Sequence, residues 1–143
     1  MSEANKGLVR RLFEEAINKG NFSVVDEILS TDYVHREPTV GERRGRAGYR
    51  ELVTMYRNAF PDVKVTIEEQ IAEGDKVVTR WTSTGTHRGE LFGTAPTGKR
   101  MVVQGVFVTR IANGKVVEDT VVYDALGMLR QLGVVPAVAA KAA

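Results

Sequence analysis

The side chains able to do chemistry in this sequence are few, and their types narrow the reaction classes. There is no cysteine, and the imidazoles are two, His35 and His87. Without thiols there is no disulfide framework, zinc ribbon, iron–sulfur cluster or cysteine nucleophile. A catalytic zinc usually takes three protein ligands, so two histidines would need carboxylates beside them, and no metal is expected. None of the four serines sits in a G-x-S-x-G elbow, which argues against serine hydrolysis. Gly93-Thr94-Ala95-Pro96-Thr97-Gly98-Lys99 fills the first seven positions of a phosphate-binding loop, but Arg100 replaces the required Ser/Thr. The segment also leads into a strand rather than a helix, so nucleotide binding is not expected.

Carboxylates remain. Asp124 stands where a strand ends and the last helix begins. It can cap that helix by accepting hydrogen bonds from its free N–H groups. Alternatively, it shares a strand face with Thr120 and Val122, and a carboxyl on a mostly apolar wall acquires a raised pKa suited to general acid or base work. Glu118 has the same parity, but six residues of strand separate the two by roughly 20 Å, too far for the paired carboxylates of a glycosidase. Trp81 and His87 also share parity at a separation of roughly 20 Å, so they could line one long cavity without gripping one atom.

The elements that must position these groups follow from the apolar spacing. Leu8, Val9, Leu12, Phe13, Ala16 and Ile17 form one helical stripe, closed by Gly20. A short helix follows, with Asn21 or Ser23 as cap and Val24, Val25, Ile28 and Leu29 on its buried face. Tyr33 to Glu37 reads as a strand stopped by Pro38, and a Gly- and Arg-rich loop leads to a third helix carrying Tyr49, Leu52, Val53 and Tyr56. Past Pro61 the period changes to two. Val63, Val65, Ile67 and Ile71 share one face of a strand, and Val77–Thr86, Met101–Ile111 and Val116–Tyr123 are three more, the last two joined by an Asn113-Gly114 hairpin. Leu126, Leu129 and Leu132 give a final helix its apolar side, and Gly133 ends it. Helices first and a long antiparallel meander afterwards predict an α+β domain, with helices covering a curved sheet and a pocket at its open end.

With 143 residues, 43% of them hydrophobic, the chain is read as a single domain over 1–143 with a frayed tail at 134–143. Twenty basic and eighteen acidic residues leave a charge of +2, with the signs interspersed. Arg43, Arg44 and Arg46 cluster, but Glu42 adjoins them and no aromatic residue interleaves, so no nucleic acid is expected. The opening residues are polar and no stretch of about 18 apolar residues occurs, so no membrane is expected and a cytoplasmic location is.

Three segments resemble a known family: Trp81-Thr82-Ser83-Thr84-Gly85-Thr86-His87-Arg88-Gly89, then Phe92 to Lys99, and Asp124 to Gly133. The chain is similar over almost its whole length to the SnoaL-like polyketide cyclases, or ester cyclases. The resemblance implies a cystatin-like, nuclear-transport-factor-type roll, a curved antiparallel sheet with helices on its concave face enclosing a cone-shaped cavity. It implies no cofactor, a small hydrophobic ligand, and association as a homodimer or higher homo-oligomer. It also implies one aspartate, matched by Asp124, as acid/base in an intramolecular aldol condensation on a polyketide ester. His35, Trp81, His87 and Gln104 would line or border the cavity, with Phe13, Tyr33 and Tyr56 beside them. Thr120 stands where many relatives carry an aromatic residue. The competing reading is a binding module that holds a small apolar ligand without turnover.

Overall fold

The structure, a computed structural model, describes residues 2–134. Helix α1 (Ser2–Arg11) runs on into a π-helical segment, Leu12–Asn18, and α2 (Ser23–Ile28) follows. Strand β1 (Leu29–Glu37) and the short β2 (Gly41–Arg44) precede α3 (Gly45–Ala59). Strands β3 (Lys64–Glu73), β4 (Lys76–Thr86), β5 (Arg100–Ala112) and β6 (Lys115–Tyr123) then lead to α4 (Ala125–Gln131). The tail expected to fray lies, beyond Val134, outside the described residues.

The six strands form one sheet in the order β2-β1-β6-β5-β4-β3. It is mixed rather than wholly antiparallel, because β1 enters from the helical half of the chain and lies parallel to β6. Strand β2, which falls in the segment read as a loop, adds an antiparallel edge to β1. Four charged or glycine residues with no apolar alternation give such a strand no period to detect.

Two bulges decide which side chains face the helices. In β3 the register slips between Ile67 and Glu69, so the inward face passes from Val65 and Ile67 to Gln70 and Ala72. Ile71 is therefore 61% exposed instead of continuing the buried face expected for it. In β6 the register slips opposite Arg110 and Ile111, so Val116, Asp119 and Val121 are buried while Thr120 and Val122 face outward. A one-residue slip inverts every later side chain.

The core lies between the concave face and the helices. Val9, Leu12, Phe13 and Ala16 from the first helical segment meet Tyr49, Leu52 and Val53 of α3 and the inward residues of the sheet. The Asn113-Gly114 turn has both residues at positive φ, as a two-residue hairpin requires. Gly105 serves a different need: a Cβ there would stand 2.4 Å from the Trp81 ring and 2.8 Å from Tyr123 Cβ. Only glycine lets the indole lie against β5. Helix α4 closes with Gly133 at positive φ and the Val134 N–H bonded to the Leu129 carbonyl.

Candidate functional site

Helices and sheet together enclose a cavity of about 120 Å³ with mostly apolar walls. Strand β1 alternates, so Tyr33, His35 and Glu37 all point inward. His35 is the register partner of Asp119 across the parallel β1–β6 pairing, and the bulge in β6 turns Asp119 inward to meet it. His35 Nδ1 lies 2.5 Å from Asp119 Oδ1, and His35 Nε2 lies 3.1 Å from Glu37 Oε1. The three are 1%, 3% and 5% exposed, and all three line the cavity.

The unit is satisfied from both ends. Tyr33 Oη donates to Asp119 Oδ2 at 2.7 Å, and Tyr56 Oη donates to Glu37 Oε2 at 3.0 Å. Tyr56 Oη in turn lies 2.6 Å from Tyr123 Oη. Since Tyr56 gives its proton to Glu37, Tyr123 is the donor to Tyr56. A continuous chain of hydrogen bonds thus runs from Tyr33 through Asp119, His35, Glu37 and Tyr56 to Tyr123.

Burial alone would lower the His35 pKa, but the hydrogen bonds to Asp119 and Glu37, with the charges of both carboxylates, outweigh it and raise it to about 9. At neutral pH His35 is an imidazolium held between two carboxylates, with both ring nitrogens donating. Burial, with the nearby charge of Asp119, pushes the hydroxyls of Tyr33 and Tyr49 well above the ordinary phenol value. For Tyr56 the causes are burial and then the neighbouring Tyr123 and Glu37. These hydroxyls are donors at any working pH.

The structure places the remaining candidates in two groups. Phe13, Tyr56 and Trp81 line the cavity with His35, and Tyr33 reaches the same network from behind Asp119. Asp124, Gln104, Thr120 and His87 are not among the lining residues. Asp124 is exposed, and its Oδ1 accepts the Gly127 N–H at 2.8 Å as the N-cap of α4. The expected face of Thr120, Val122 and Asp124 exists, but the β6 bulge makes it the outer one. Gln104 is on the outer face of β5 and meets Asp124 only through its backbone carbonyl. His87 is fully buried on the far side of Phe60, where Nδ1 accepts the Thr97 N–H and ties down the loop before β5. The residues that sequence reasoning passed over are Asp119, Glu37 and Tyr49. The signal for Glu37 and Tyr49 was available, since each shares a periodic face with a residue already singled out.

No group of three or more His, Asp or Glu among the described residues is arranged to hold a metal ion. No helix among them is long and apolar enough to cross a membrane.

The α+β roll carries a buried acid/imidazole unit on the wall of an apolar cavity, and comparison with known proteins gives the family to which such a fold and site belong here. The model of the SnoaL-like polyketide cyclase family matches residues 7–132, and the chain belongs to that family. It is 32% identical over 120 residues to the nogalonic acid methyl ester cyclase of Streptomyces nogalater, covering 82% of this chain and 90% of that one. It is also 32% identical over 132 residues to the aklanonic acid methyl ester cyclase DnrD of Streptomyces peucetius, covering 88% of each. Among solved structures, TsrD from Streptomyces laurentii superposes with a TM-score of 0.85 at 28% identity, over 94% of this chain and 98% of that one. The fold and the family are those the sequence resemblance implied.

Proposed function

We propose that the protein is a cofactor-independent cyclase that closes a ring by intramolecular aldol chemistry on a hydrophobic, ester- and carbonyl-bearing substrate, with Asp119 as the acid/base. The observation that carries this reading is the Asp119–His35–Glu37 unit on the wall of an apolar cavity. The names of the two curated relatives support the reaction class.

In this reading Asp119 takes a proton from a carbon beside the substrate's carbonyls. The electron pair of the broken C–H bond passes into an enolate, whose charge the substrate's own carbonyl oxygens delocalise. The enolate carbon bonds to a second carbonyl carbon, and the π pair of that carbonyl moves onto its oxygen. The new alkoxide then takes back one proton, so the count is zero overall. That proton comes from Asp119 directly, or is relayed through His35, Glu37 and Tyr56. The imidazolium keeps the carboxylates paired, so charge arriving at one end is compensated without water. One carboxylic acid suffices for such a reaction.

The test is ring closure of nogalonic or aklanonic acid methyl ester by the purified protein and its variants. Asp119→Asn should lower turnover by about 10²–10⁴, while Asp124→Asn, which still caps α4, should leave it within about twofold. Equal loss in both variants, or none in Asp119→Asn, rejects Asp119 as the acid/base.

One observation favours a binding module instead. Both oxygens of Asp119 and both of Glu37 already have hydrogen-bond partners, as in a network that only stabilises the fold. Under that reading a ligand is recovered unchanged from incubation with the wild-type protein.

A further inference from the structure

Two donors on the cavity wall have no partner among the described residues. Trp81 Nε1 and Tyr49 Oη are buried side-chain atoms without a hydrogen bond, although both residues line the cavity. Trp81 is 7% exposed and Tyr49 4%. An indole N–H can only donate, and a buried donor left unsatisfied costs more than the bond would gain. The phenol hydroxyls of Tyr56 and Tyr123 are accounted for, since they belong to the chain that ends on Glu37. Both unpaired donors are also fixed in place. The Trp81 ring lies against Gly105, and the Tyr49 ring packs edge-on against Tyr33 with centroids 5.7 Å apart.

We infer that Trp81 Nε1–H and Tyr49 Oη–H form a subsite for neutral acceptor oxygens, the carbonyl or ester oxygens of a ligand whose apolar body fills the rest of the cavity. The partner must accept, because Trp81 cannot do so. It must be neutral, because an anionic oxygen at Tyr49 would meet the same burial, and then the same field of Asp119, that disfavour charge on the Tyr49 oxygen itself. Of the two cationic side chains on the wall, Arg57 spends its guanidinium on the carbonyls of Ile17 and Asn18, at 2.6 and 3.0 Å, and His35 gives both ring nitrogens to Asp119 and Glu37. The subsite therefore selects esters and ketones over the corresponding free acids. One-ring probes suit this cavity, since about 120 Å³ is close to the roughly 150 Å³ engineered void that holds benzene.

This inference deepens the cyclase reading by naming what the same cavity recognises, but it is tested by binding alone. Trp81 is the only tryptophan, so its indole N–H gives one unambiguous NMR signal. The probes are acetophenone, ethylbenzene of matching shape without the oxygen, and benzoate with a charge. Acetophenone should bind about tenfold or more tighter than ethylbenzene and move the indole proton downfield. Benzoate should bind more weakly than acetophenone by about tenfold or more. Tyr49→Phe should narrow the preference for acetophenone over ethylbenzene by about threefold or more, whereas Asp124→Asn, which still caps α4 outside the cavity, should keep that preference. Equal binding of acetophenone and ethylbenzene with an unmoved indole signal overturns the inference, as does a preference for benzoate. A protein that shows the binding preference but no ring closure retains the subsite and loses the catalytic reading.

Discussion

His35 Nδ1 stands 2.5 Å from Asp119 Oδ1, although 84 residues separate them in sequence. The contact exists because β1 runs parallel to β6 with His35 and Asp119 in register, and because the β6 bulge turns Asp119 toward the helices. Glu37, two residues along the same face of β1, completes the bracket on the other ring nitrogen. Strand β1 alone gives the imidazole one carboxylate, and β6 brings the second. Their pairing puts one imidazole between two carboxylates on an apolar wall.

Stability should fall as the solution becomes alkaline. The His35 pKa is about 9 in the folded protein, above the ordinary 6.5, so the folded state holds its proton more tightly than the unfolded state. The stabilisation is then fully present below pH 6.5 and is lost as pH rises through about 9. A shift of this size corresponds to about 3 kcal/mol. Urea unfolding at a series of pH values should show this decline, and His35→Gln should flatten it.

Removing one member of the unit should cost more than a typical core substitution. His35→Ala leaves two buried carboxylates without their cation, and loss of about 3–5 kcal/mol is expected from unfolding curves. Glu37→Gln keeps the shape but removes one of the two charges raising the His35 pKa, so the histidine should titrate below its wild-type value. NMR of the imidazole checks this directly.

Gly105→Ala should force the Trp81 ring off β5, since the new Cβ would stand 2.4 Å from it. Overpacking of this kind costs about 1–3 kcal/mol. The single tryptophan reports the displacement through its fluorescence, and thermal unfolding reports the cost.

Asp124 should behave as a cap. Asp124→Ala should destabilise by about 1 kcal/mol, and Asp124→Asn by much less, because Asn caps about as well as Asp. Gly127→Ala should be worse than either for local reasons, its Cβ falling 2.1 Å from Asp124 Oδ2. Denaturant midpoints of the three variants give the order.

Much of the fold was legible because its signals are local. The stripe Tyr49, Leu52, Val53 and Tyr56 faces the cavity as its spacing requires, and the Asn113-Gly114 turn joins β5 to β6 as read. The site was only half legible. Strands β1 and β4 keep their alternation where His35 and Trp81 lie, and both side chains face the cavity. Along β6 parity misleads, because the bulge near Val117 inverts the faces. A reader counting by two back from Asp124 reaches Val122 and Thr120, which are outside, and never Asp119. Nothing in a run such as Val116-Val117-Glu118 marks the extra residue, and the parallel pairing with β1 that selects Asp119 is a tertiary fact.

The most direct test of the central claim is a nitrogen-15 NMR titration of the His35 imidazole in the unliganded protein. The account predicts that both ring nitrogens carry protons at pH 7.5 and that one is lost near pH 9, with Asp119→Asn lowering that value. A neutral ring at pH 7.5, titrating at or below 6.5, would contradict the bridged imidazolium and with it the acid/base unit.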